Sequence, residues 1–211
     1  FVVDERHHNC SGKHSGFLAY CSLHDVPKET YTDLEHPLQL AVRQAVADVT
    51  GVASQDMGWG IDGCSAPNFA LPLSNLARSY ARLARPESDD KYGASLKLLG
   101  EAMTAHPELV SGTGRSDADF MRIGRGDWVS KVGADGVQVI GSRSRGQALA
   151  IKIADGNKPA LFAATVDALD QLGWLDDAQR EALKPWQAAQ LKNIKGLDVG
   201  ARRSIFKIQK A

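Results

Sequence analysis

The chain has 211 residues, 43% of them hydrophobic, and 25 basic residues balance 25 acidic ones to a formal net charge of zero. That is enough apolar material for one sizeable core, and we expect a single domain over residues 1–211. The even charge, with no basic block, argues against a nucleic-acid partner; no apolar run reaches the roughly 18 residues of a membrane span. Three cysteines, Cys10, Cys21 and Cys64, are too few and too odd a set for a disulfide framework. They fit a reducing compartment, the cytoplasm by default, or a metal site.

Val2-Val3 reads as the end of a buried strand, and a polar loop carries the chain to Asn9. The sequence lacks an initiating Met and enters its densest polar segment within a few residues, which suggests either a processed terminus or the C-terminal part of a longer protein. Phe17-Leu18-Ala19-Tyr20-Cys21 predicts a helix from Gly16 whose N-terminus lies at Ser11-Gly12-Lys13-His14, placing backbone N–H groups there. Cys21 falls on the apolar side and reads as a core thiol.

Residues 24–36 read as a loop, and Leu38, Ala41, Val42, Ala45, Val46 and Val49 then keep helical spacing up to a capping Gly51. A short strand over residues 56–61 ends in the turn Asp62-Gly63-Cys64, where glycine allows close backbone approach. Helices are expected over residues 75–84, with Ser74 as N-cap, and 92–104. Residues 106–117, which include Gly112, Thr113, Gly114 and Arg115, look like a substrate loop or a solvated connection.

The character then turns to β. Residues 128–133 and 137–142 form a hairpin around Asp135-Gly136, a strong turn signal, and residues 148–154 supply a third strand. Pro159 opens a helix to Leu172, a second helix covers 176–183 and stops at Lys184-Pro185, and residues 203–210 alternate as a last strand. The pattern predicts an α/β chain of the α+β kind, a helical half and an antiparallel sheet half sharing one core.

Cys10 and Cys64 each sit in a glycine-flanked polar turn, and a thiolate pair with one or two nitrogens suits zinc. By ordinary ligand rules the nitrogens are those of His14, or of His7 and His8; the competing reading is a pair of ordinary reduced thiols. Lys131-Val132-Gly133 resembles the Lys-Thr-Gly strand element of serine penicillin-binding enzymes, although a strand lysine is more often only a solvent-facing charge.

Taken together, Asn9-Cys10-Ser11-Gly12-Lys13-His14-Ser15-Gly16, Asp62-Gly63-Cys64-Ser65-Ala66-Pro67, Gly112-Thr113-Gly114-Arg115 and Lys131-Val132-Gly133-Ala134-Asp135-Gly136 resemble the rhizobial-type (class 3) bacterial L-asparaginases. The resemblance covers almost the whole chain. It implies a serine β-lactamase/glutaminase-like fold, an antiparallel sheet flanked by helices with its N-terminal part missing here, and hydrolysis of L-asparagine to L-aspartate and ammonia. It also implies Zn2+ held by Cys10, Lys13 and Cys64, which replaces the histidine donors. His14, Asp62, Gly114 and Arg115 then orient the substrate, Lys131 assists catalysis, and the enzyme is a homodimer. Whether the zinc fixes the substrate's α-amino acid end or shapes the pocket stays open. So does the choice between asparagine and another amide such as glutamine, or an amino-acid-binding module without turnover.

The family's nucleophilic serine belongs to a Ser-x-x-Lys pair on an early helix. Ser15 and Ser65 have no lysine three residues on, and Lys13 follows Ser11 too soon. The expectation is therefore that the nucleophile precedes Phe1 and that the chain is inactive alone.

Overall fold

The computed structural model describes residues 2–187 and 190–209. The chain forms two compact units, Phe1–Asn75 and Leu76–Ala211.

In the first unit a 3-10 turn, Glu5–His7, leads into α1 (Ser11–His24) and α2 (Pro37–Thr50), followed by the strands β1 (Gly58–Ile61) and β2 (Pro67–Ala70). Val2 and Val3 are exposed and join no strand, which corrects the buried strand end expected there. α1 starts at Ser11, six residues before its apolar run at Phe17, so its N-terminus lies at the polar motif, as expected, with Lys13 and His14 on its first turn. α2 follows its apolar period and ends at Gly51, whose φ of 73° is the left-handed conformation that glycine adopts freely. β1 and β2 pair antiparallel with Trp59 opposite Phe69 and Ile61 opposite Pro67, so the short strand expected here is half of a hairpin.

Few apolar side chains are buried in this unit, chiefly Cys21, Leu38, Ala47, Met57 and Ala66. Side chains stitch it to backbone instead: Gln39 Nε2 donates to the Tyr31 carbonyl at 2.8 Å, Arg43 to that of Ser54 at 2.7 Å, and His36 Nε2 pairs with that of Pro27 at 2.8 Å. Each such bond contributes about 1 kcal/mol net.

The unit boundary falls within α3 (Leu73–Ala84), which begins one residue before the expected cap Ser74. Then come α4 (Gly93–Ala105), α5 (Pro107–Ser111), α6 (Ser116–Ile123), and the strands β3 (Trp128–Gly133), β4 (Val137–Ser142) and β5 (Gln147–Lys152). α7 (Lys158–Gln171), α8 (Asp177–Gln187), β6 (Gln190–Lys192) and β7 (Asp198–Ala201) complete the order. β3, β4 and β5 form an antiparallel sheet in that order, with Lys131 opposite Val139 and Val139 opposite Ala150.

Because strand side chains alternate between faces, neighbours Trp128 and Val129 enter different clusters. Trp128 and Ile140 pack with Phe120, Val166, Leu169, Trp174, Leu175 and Leu183, whereas Val129 packs with Leu83 and Ala84. Helices thus cover both faces of the sheet. Gly141 permits the closest approach, since a Cβ there would lie 2.7 Å from the Tyr80 carbonyl oxygen.

Two C-terminal expectations fail. Pro185 lies inside α8 instead of ending it: its missing N–H costs one bond near the helix end. Trp186 packs against the core and donates to Asp119 Oδ2 at 3.1 Å, which offsets that loss. Residues 202–209 adopt no strand, and Lys210 lies outside the described residues. The hairpin is β6–β7 instead, turned by Asn193, whose side chain accepts from Lys195 and Leu197, and by Gly196 at φ 79°. Among the described residues no helix is long and apolar enough to cross a membrane.

Candidate functional site

The first turn of α1 and the β1–β2 turn meet in the first unit. Cys10 is the N-cap of α1 and Lys13 stands one turn in. The β1–β2 turn is drawn tight by two backbone bonds, Asp62 N–H to the Ala66 carbonyl and Ser65 N–H to the Asp62 carbonyl, both 2.9 Å. Asp62 Oδ1 accepts from Gly63 N–H at 2.7 Å, and Ser65 takes a left-handed φ of 71°. This geometry presents Cys64 to the helix. Lys13 Nζ lies 3.1 Å from Cys64 Sγ and 3.7 Å from Asp62 Oδ2. Cys10 Sγ, an Asp62 carboxylate oxygen and Cys64 Sγ all lie within 4.8 Å of one another.

The charges in this cluster are mutually adjusted. Burial pushes the Cys10 thiol up; Lys13 opposes this, but Cys64 and Asp62 add to it. Burial also acts upward on Cys64, yet the Ala66 N–H and Lys13 outweigh it and hold that thiol below its ordinary value. Lys13 would be lowered by burial, but its bond to Cys64 and the charges of Cys10, Cys64 and Asp62 raise it. In the metal-free cluster these neighbours therefore favour the thiolate form more at Cys64 than at Cys10, and the charged form of Lys13.

Two sulfurs, an amine and a carboxylate at these separations fit a zinc ion, which takes sulfur at about 2.3 Å and nitrogen or oxygen at about 2.0–2.2 Å in a tetrahedron. Asp62 thus stands among the possible donors. No histidine nitrogen joins this group among the described residues. His7 Nδ1 accepts from Asp4 N–H and His8 Nδ1 from Cys10 N–H, so both stabilise local turns.

His14, the next residue along α1 after Lys13, pairs with Tyr31. Its Nδ1 lies 2.6 Å from the Tyr31 hydroxyl, and its ring meets Phe17 and Tyr31 edge-on. Burial and the charge of Lys13 lower its pKa, favouring neutral imidazole. Its Nε2 is buried with no hydrogen-bond partner among the described residues. A cavity of about 680 Å³ opens here, lined by His7, His8, His14, Tyr31, Cys64 and Ser65 among others. It has the size of a small-molecule site.

The remaining candidates belong to the second unit. Lys131, on β3, donates to the Val132 carbonyl at 2.7 Å and lies 3.8 Å from Asp117 Oδ2. Gly114, at φ 70°, and Arg115 are exposed in the short connection between α5 and α6. The expected loop over residues 106–117 is therefore mostly helical. Ser111 closes α5 and its Oγ accepts from Ala118 N–H at 3.0 Å, while Ser116 and Asp117 are buried in the first turn of α6. Sequence reasoning missed Asp117, Ser130 and Gln138, which form one buried hydrogen-bonded group. The available signal was polar residues at inward positions of two alternating strands.

Two Ser-x-x-Lys spacings also escaped the sequence reading, Ser88–Lys91 and Ser204–Lys207. Neither stands on an α-helix. Ser88 closes a 3-10 turn and donates to the Arg85 carbonyl, with Lys91 Nζ 5.0 Å from the Tyr92 ring centroid, and Ser204 lies in irregular backbone.

Fold and cluster describe a mixed α+β protein with a compact thiol, amine and carboxylate group beside a cavity of small-molecule size. The chain belongs to the L-asparaginase II family, whose profile matches residues 2–204. Membership makes it an amidohydrolase by family, with a small molecule as substrate. No curated protein matches it.

Proposed function

We propose that the chain serves an enzyme that hydrolyses L-asparagine to L-aspartate and ammonia through a serine acyl-enzyme, as the rhizobial-type resemblance implies. The family match over residues 2–204 carries the reading. The cluster of Cys10, Lys13 and Cys64 supports the class, because three residues the resemblance pairs with zinc lie together. Bound there, with Asp62 beside it, zinc would supply a fixed positive charge for the polar end of an amino acid. His14, whose surroundings favour the neutral ring, keeps a buried Nε2 without a hydrogen-bond partner among the described residues. Arg115 and Gly114, exposed before α6, are assigned to the substrate as well. Lys131 is the amine that assists proton transfer to and from the attacking hydroxyl. The serine itself is not assigned to any residue of this chain. Cytoplasmic location and a homodimer rest on the composition and the resemblance.

Ammonia release from asparagine by the protein tests this. Lys131→Ala is expected to lower kcat by a factor of about 10² or more. Undiminished turnover in that variant removes Lys131 from the mechanism. One observation favours a second reading: cluster and cavity are both complete within the first unit. A zinc-stabilised amino-acid-binding module would bind asparagine calorimetrically and release no ammonia.

A further inference from the structure

Asp117 is a fully buried carboxylate that the proposed chemistry does not use. Its Oδ1 accepts from Ser130 Oγ at 2.8 Å and Gln138 Nε2 at 3.1 Å; Oδ2 accepts from the Val132 backbone N–H at 2.8 Å. Gln138 Nε2 also reaches Ser130 Oγ at 2.9 Å. β3 and β4 place Val132 opposite Gln138, so a single side chain from α6 ties both strands across that register.

Three neutral donors leave part of the carboxylate's accepting capacity unused. The cation that pairs with it among the described residues is the Lys131 ammonium, 3.8 Å from Oδ2. The two partners differ sharply in exposure: the Lys131 side chain is 44% exposed and that of Asp117 0%. The anchor is inside and the amine emerges from it. The same carboxylate acts on Tyr80, whose phenol is pushed well above its ordinary range by burial and by the charge of Asp117. A purely structural acceptor would need only the Ser130, Val132 and Gln138 bonds.

We propose that Asp117 is a positioning residue for Lys131: it fixes the β3 backbone at Val132 and holds the ammonium over that backbone from below. The catalytic meaning of this anchor rests on the function proposed above. Asp117 touches no substrate. It sets where the amine stands when a reacting hydroxyl approaches.

The test is residue-resolved acetylation of lysines with acetic anhydride, read by mass spectrometry as the ratio of Lys131 to the exposed Lys28. In Asp117→Asn with native near-ultraviolet circular dichroism, the ratio is expected to rise severalfold, because the amine is released from its partner. In Ser130→Ala, which removes a donor but keeps the carboxylate, the ratio stays at the wild-type value. An unchanged ratio in folded Asp117→Asn overturns the anchor. Should that variant fail to fold, nitrogen-detected NMR of the wild-type lysine ammonium groups decides. Slow proton exchange at Lys131 relative to Lys28 supports the anchor, and equal exchange overturns it. In turnover, Asp117→Asn lowers kcat about tenfold or more with KM little changed. Undiminished turnover by Lys131→Ala would instead overturn the function reading, leaving the acetylation result to stand or fall separately.

Discussion

The two units hold their polar groups in opposite ways. In the first, a partly exposed cluster of Cys10, Lys13, Asp62 and Cys64 lies in a unit with few buried apolar side chains and many side-chain-to-backbone bonds. In the second, Asp117, Ser130 and Gln138 are sealed in a helix-covered sheet with a large aromatic and aliphatic core. A buried polar group must be satisfied from within the protein, and Asp117 is. The open cluster need not be, since its charges are free to change partners when a ligand arrives. The first arrangement suits binding and the second suits fixing geometry.

The sharpest break of this contrast is Cys64→Ser. It is expected to abolish zinc retention, from about one ion per chain to none, while the second unit unfolds as in the wild type. Elemental analysis after dialysis, with a thermal melt, measures both. Zinc affinity is further expected to rise with pH: the surroundings raise both the Lys13 amine and the Cys10 thiol, so a metal held there competes with protons for them. Competition with a chelator at several pH values reads that slope, and a flat profile would rule out Lys13 as a ligand.

Next in size is Phe120→Ala in the second unit. Phe120 is fully buried, and its ring meets Phe162 and Trp186 edge-on. Denaturant unfolding should show a loss of about 3–5 kcal/mol. A much smaller loss would mean that this core can collapse around the gap, and that the two units are less different than they look.

The smallest expected effect comes from Asp89→Asn. Asp89 is buried, accepts from Tyr92 and Lys91 N–H and pairs with Arg82. The backbone bond from Tyr92 and the Arg82 guanidinium outweigh burial and hold its carboxyl below the ordinary carboxylate value. The folded pKa is depressed, so its stabilisation is full above about pH 4 and is lost as pH falls through the folded pKa. At neutral pH the substitution should cost about 1–3 kcal/mol, and stability against pH should flatten on the acid side. An acid limb identical to the wild type would assign acid sensitivity to another carboxylate.

Much of the fold was legible where one local signal dominates. The period of α2 ends at a glycine that must be left-handed, and Asp135-Gly136 sits between two alternating strands. Misreadings cluster where a distant partner decides. The start of α6, Ser116 and Asp117, looked like loop because Gly112 and Gly114 precede it, yet Ser111 caps it from the previous helix and the core accepts Phe120. Val2-Val3 looked like the end of a strand, but both are exposed and pair with no strand among the described residues. Cys10 and Cys64 were legible from their glycine-flanked polar turns, whereas Lys13 was legible only through the resemblance, since ordinary ligand rules favoured histidines. Asp117 was hidden because a carboxylate between small polar residues reads as solvated.

The turn between β1 and β2 also works as a ruler. Both strands are largely exposed, so their side chains can vary at little cost. The count between Asp62 and Ala66 cannot: the two backbone bonds close only over that number of residues, and the left-handed Ser65 sets the direction in which Cys64 faces. Inserting or deleting one residue there would leave the hairpin paired and aim the sulfur elsewhere. Among related chains, loop length at this point is thus a stronger mark of the cluster than sequence identity along the strands beside it.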